Sequence, residues 1–204
     1  MTFNIPDPEL QIGFARALAN IRKSMLQDAL RETVRNLDIP TLDKELAMFV
    51  PAQSLKVLAG HGLRGELVFA VPSVLAANPR LVGYYRLLYG YSQKEFHKPR
   101  VGSAFKTAES TGKLTKASAD ALPAFCKAMG AAGAFLLAAI SSGTVSAAVL
   151  DDLTLLTLGP QLRGGANVAI GTAGIAAVFG VIKAIVQKSI VTASVNSITL
   201  RNAA

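Results

Sequence analysis

Asp151-Asp152 is the only pair of adjacent acids in the chain, and carboxylates held together are the usual way to fix a divalent cation over a phosphate. Neighbours on a helix point about 100° apart, so these two would share one ion only across an irregular turn. A solvated helix turn is the simpler expectation. From Leu153 to Ala204 there is no carboxylate, so that stretch supplies no acidic ligand. Cys126 is the single cysteine, and His61 and His97 are the two histidines, far apart in sequence. These numbers exclude a disulfide framework and a cysteine-rich zinc site, and a buried thiol is the expected state of Cys126. No phosphate-binding glycine loop, complete dinucleotide fingerprint or zinc-protease motif occurs. Gly171-Thr-Ala-Gly174 reads as a cap or packing site. No catalytic residue and no metal ligand is assigned.

Charge gives a stronger signal. The net formal charge is +8, and residues 80–116 hold eight cations against Glu95 and Glu109, which is +6 of it. Tyr84, Tyr85, Tyr89 and Tyr91, all the tyrosines of the chain, lie in the same segment with Phe96 and Phe105. Basic residues interleaved with aromatics suit phosphate neutralisation plus stacking or groove contact. The alternative is that Tyr85 and Tyr89 are core and the lysines a solvated loop. Arg86 to Phe96 also half-matches a repressor-type helix-turn-helix, with Gly90 ending one helix and Ser92-Gln93 starting the next. Lys98-Pro99 then breaks the second helix too early.

These residues need elements to position them. Hydrophobic residues are 51% and charged residues 17%, which permits a sizeable core and excludes global disorder. Asp7-Pro8 reads as a cap and helix start, and apolar residues then recur at helical spacing to Leu37, predicting one long helix before Pro40. Shorter helices are expected over Thr41–Phe49 and Ala52–Ala59. Glu66 to Val71 reads equally as a strand or a helix end. Asn78-Pro79 opens a helix that stops at Gly90, and Ser92 with Glu95 forms a capping box. Residues 97–117 read as a polar loop. Helices follow over Ser118–Ser141, Ser146–Leu158 and Thr172–Lys188, with a loop from Gly159-Pro160 to Gly164-Gly165. Ile190–Val195 and Ile198–Arg201 alternate around Asn196-Ser197, as a hairpin does.

Mean hydropathy is +0.39, which raises the membrane question. Ala128–Leu150 and Gly164–Ile182 carry no charge and are long enough to span a bilayer. The first run is dominated by Ala, Gly and Ser, and no aromatic belt flanks either run. Buried helices of a soluble protein are favoured, and a small helical membrane protein is the alternative.

Three stretches resemble the XcyI family of type II restriction endonucleases: Leu63 to Phe69, Ala77 to Phe96 and Asp151 to Gly165. Tyr84-Tyr-Arg-Leu-Leu88 and Leu158-Gly-Pro-Gln-Leu-Arg-Gly164 are the most specific parts. The resemblance runs from about residue 8 to the end. It implies cleavage of duplex DNA at a GC-rich palindrome of CCCGGG type, by a magnesium-dependent Asp…Glu-x-Lys core, usually in a dimer. Nothing in the chain matches those acids, so the catalytic half is expected to be missing and the chain to be truncated. Mg2+ is then expected for the full-length family and not for this chain alone.

The expected fold is mainly α: a helical N-terminal region ending in a β-hairpin that begins an α/β, restriction-endonuclease-like core. Residues 1–117 form the helical region, with the DNA-contact segment at 80–116. Residues 118–204 hold the Ala-rich helices and the hairpin. Under this reading Arg86, Lys94, Lys98, Arg100 and Lys106 contact phosphates, and Tyr91 a base or sugar. Partners are double-stranded DNA and a second copy in a homodimer, without a membrane, in the cytoplasm. A helix-turn-helix regulator, the remaining alternative, requires a helix over about residues 100–110.

Overall fold

Why the long N-terminal helix does not stay whole is clear from one residue. Leu26 is fully buried and takes an extended backbone, φ −99° and ψ −159°, which ends α1 (Glu9–Met25) and starts α2 (Gln27–Arg35). Beside it, the Gln27 side-chain amide donates to Ala147 O at 2.9 Å. Tertiary packing thus overrides a periodicity that contains no Gly or Pro at the break. This computed structural model describes residues 9–99, 102–140, 145–185, 190–193 and 198–200. Asp7-Pro8 and the Asn196-Ser197 turn lie outside them. The chain divides into two compact units, Met1–Gly159 and Pro160–Ala204.

In the first unit, Asp38 caps α3 (Ile39–Phe49) by accepting from Thr41 N, with Pro40 in the first turn. After α4 (Ala52–Gly60) a 3-10 turn, Gly65–Leu67, leads into Val68-Phe-Ala-Val71, every residue of which is fully buried. This stretch forms neither a strand nor a helix end. The carbonyls of residues 66–68, leading into it, need donors, and the tyrosines supply them. Tyr85 Oη donates to Glu66 O (2.8 Å), Tyr84 Oη to Leu67 O (2.7 Å), and Tyr89 Oη to Val68 O. Burial holds all three phenols above their ordinary value, so they remain donors.

The chain continues through α5 (Pro72–Ala77), a 3-10 turn at Pro79–Leu81, and α6 (Val82–Leu88), buried at every residue. Gly90 turns the chain at φ +78°, a conformation costly for any residue with a side chain. Ser92 and Glu95 close both arms of a capping box on α7 (Gln93–Phe96). Residues 97–117 are not the expected loop. A 3-10 turn, Ser103–Phe105, runs into α8 (Lys106–Thr111), which buries Ala108 and Glu109.

α9 (Lys116–Ala139) starts from a Thr115/Ser118 capping box and carries Pro123 in its early turns. It is long and apolar enough to cross a membrane, by length and composition alone. Its Phe125, Cys126, Met129, Gly130, Gly133 and Leu137 are buried at helical spacing in this unit. Burial pushes the Cys126 thiol up to about 12, which leaves it unreactive as a nucleophile. The uncharged run Ala128–Leu150 is not one span: α9 ends at Ala139, and α10 (Ala147–Ile185) begins seven residues after Ile140. Leu150, Thr154 and Leu158 are the buried stripe of its first turns.

Residues 159–165, expected as a loop, are helical despite Pro160 and three glycines. The helix formers around them outweigh the punctuation. In the second unit, β1 (Ile190–Ala193) and β2 (Ile198–Leu200) pair antiparallel, with Ile190 opposite Leu200 and a register irregularity between Ile190 and Thr192. The fold is mainly helical, as expected. The strands among the described residues are those of this hairpin, and they do not make up the expected α/β core.

Candidate nucleic-acid interface

Arg86 departs from the expectation made of it. Its side chain is 1% exposed, and its partner Glu109 is 4% exposed. The guanidinium grips the Glu109 carboxylate from Nε (3.0 and 3.1 Å) and Nη2 (2.8 Å), while Nη1 donates to Tyr91 O at 2.7 Å. Bidentate geometry and low dielectric make this a strong structural contact. A guanidinium so enclosed has no face left for a phosphate, so Arg86 is withdrawn from the contact set.

Glu109 gathers more donors. His97 Nε2 lies 2.9 Å from its Oε2, and the Gln93 side-chain amide donates to Oε1 at 3.5 Å. The other His97 nitrogen faces Gly102 O at 3.3 Å. One buried carboxylate therefore ties α6, α7, the 102–105 turn and α8 together. An aromatic cluster backs it: Phe96 lies edge-on to His97, Phe125 and, tilted, Tyr91, and Phe105 packs on Phe125 at 4.2 Å. Sequence reasoning missed Glu109 and His97. The available signal was an acid standing inside a strongly basic segment, where a buried partner for one of the arginines is the natural role.

This framework fixes what remains outside. Lys94, Lys98 and Lys106 are exposed, and Tyr91 is 38% exposed. Arg100 lies outside the described residues. The buried pair removes one charge of each sign, so the +6 of residues 80–116 is undiminished. The exposed Glu95 carboxylate is held below its usual range by the Ser92 hydroxyl and backbone N–H, with Lys98 adding to this. Tyr84 and Tyr85 are core, and Tyr89 spends its hydroxyl on Val68. Tyr91 is thus the exposed one of the four tyrosines.

The helix-turn-helix half-match ends in a helix of four residues, too short to lie in a major groove. The helix required over 100–110 is replaced, among the described residues, by the 3-10 turn and six-residue α8. Nor do the described residues gather three or more His, Cys, Asp or Glu around a point. Asp151 pairs with Arg22 at 2.8 Å, while Asp152 is exposed. Asp151 Oδ1 is the one buried side-chain oxygen among them without a hydrogen-bond partner, and a guanidinium, not a second acid, binds the same carboxylate.

The family model described as XcyI restriction endonuclease matches residues 15–204. The chain is 53% identical over 186 residues to the type II restriction enzyme XcyI of Xanthomonas campestris pv. cyanopsidis, covering 90% of the chain and 56% of that relative. It is 45% identical over 201 residues to the type II restriction enzyme Cfr9I of Citrobacter freundii, covering 97% and 61%. The chain therefore spans less than two thirds of either relative's length. No solved structure gives a significant match.

Proposed function

Because the chain belongs to the XcyI restriction endonuclease family, we propose that it is the DNA-engaging helical region of a type II restriction endonuclease. Lys94, Lys98 and Lys106, with Arg100, would neutralise backbone phosphates, and Tyr91 would meet a base or sugar. The carrying observation is that Lys94, Lys98 and Lys106 are exposed on a segment locked by the buried Arg86–Glu109–His97 network. Preorganised cations lose less side-chain and loop entropy on binding than cations on an unanchored loop. The substrate would be duplex DNA with a GC-rich palindrome of CCCGGG type, bound by a homodimer in the cytoplasm. The hairpin would open the α/β nuclease core.

Magnesium, the metal the family implies, does not fit the described residues, whose one unpartnered buried carboxylate oxygen belongs to an acid already paired with arginine. No cleavage step is assigned to them. We expect this chain to bind duplex DNA without cutting it. Magnesium-dependent cleavage by the purified 204-residue chain would overturn that.

Anisotropy titrations of a CCCGGG-bearing duplex at increasing salt test the contact set. Each phosphate contact removed lowers the slope of log K against log salt by about 0.9. The triple substitution of Lys94, Lys98 and Lys106 to Ala is expected to flatten the slope by roughly 2 to 3 units, as that per-contact value implies. Replacing Lys44 and Lys56, exposed on α3 and α4, should leave it unchanged. An unchanged slope in the triple variant would place the interface elsewhere.

A further inference from the structure

Beside the basic segment runs a groove of about 630 Å³, whose lining includes Tyr91, Phe135, Glu95 and the small residues Gly90, Ala132 and Ala139. Phe135 is 79% exposed, the most exposed aromatic ring among the large hydrophobics of the described residues. We infer that this groove receives one unstacked base of the bound duplex, a base carrying an exocyclic amino group. The inference rests on the DNA-binding reading and adds a stacking site to it.

Three observations favour a base over an apolar protein segment. The first is charge: Lys94 adjoins Glu95 in sequence, and Lys98 lies close enough for its charge to act on that carboxylate. Both lysines are exposed and suit the phosphates flanking a displaced nucleotide. The second is the acceptor. Both Ser92 bonds to Glu95 use Oε2, which leaves Oε1 to accept from an amino group, as carboxylates do from cytosine N4. The third is rigidity. Arg86 Nη1 clamps the Tyr91 carbonyl, and the Tyr91 ring rests 6.0 Å from Phe96, so one wall is set before binding. Aromatic faces accept any base; the carboxylate supplies the preference.

The test uses the full chain and duplexes with a single bulged base. A bulged 2-aminopurine duplex should bind about tenfold more tightly than its fully paired counterpart, with the probe's fluorescence falling on binding. Phe135→Ala should abolish that preference while leaving the salt slope for paired duplex, which reports the phosphate contacts, unchanged. A bulged cytosine should bind more tightly than a bulged thymine. Equal affinity for bulged and paired duplexes, or a preference that survives Phe135→Ala, overturns the inference and leaves the interface standing. Equal binding of cytosine and thymine overturns the role of Glu95. Loss of salt-dependent binding to every duplex overturns the interface and the inference together.

Discussion

Glu109→Gln is expected to cost about 3–5 kcal/mol of folding stability, because it leaves the Arg86 guanidinium buried without its counter-charge. Both side chains are almost entirely out of water, so solvent does not screen the loss. Arg86→Met should cost a similar amount: it strands the carboxylate and takes the donor from Tyr91 O. The double variant Arg86→Met/Glu109→Leu should cost clearly less than the sum, since no unpaired charge then remains. Urea midpoints with an unchanged m-value report this directly. Additive losses would show that the pair is not coupled as its geometry requires. His97 contributes to the same site, and its side-chain contact to Glu109 would outlast the loss of Arg86.

Gly130→Val is expected to lose about 2–3 kcal/mol by overpacking. A Cβ at Gly130 would stand 2.6 Å from Phe49 O, a backbone atom that cannot rotate away. α9 would have to move off α3, and the Gly133 approach to Phe69 would open with it. Gly159→Ala is the matched contrast. Nothing lies within 4 Å of that Cβ, and the site is helical, so the substitution should gain about 0.5–1 kcal/mol from helix propensity. Thermal midpoints shifted in the same direction by both variants would contradict the packing described for α9.

These two sites show what the residues disclose in advance and what they hide. Local chemistry was legible. Ser92 and Glu95 form the capping box their spacing implies, Gly90 takes the left-handed turn, and Ile190–Ala193 pairs with Ile198–Leu200. Tertiary consequences were not. Leu26 breaks a helix because it is buried, and no feature of its neighbours marks it. Residues 103–111 are poor in large apolar groups and yet fold, because Phe105 and Glu109 each find a buried partner far along the chain. Composition located the basic segment but could not separate its layers. Arg86, Tyr84 and Tyr85 have the same residue types as surface contacts and are structural. Lys94, Lys98 and Lys106 form the outer layer, and only packing distinguishes the two sets.

Lysine acetylation of the full chain, with and without a CCCGGG-bearing duplex, locates the DNA-facing surface most directly. Mass spectrometry then reads protection residue by residue. Lys94, Lys98 and Lys106 should become protected in the complex, while Lys44 and Lys56 stay as reactive as in the free chain. Protection of Lys44 and Lys56 with Lys94, Lys98 and Lys106 unchanged would mean that DNA lies on another face.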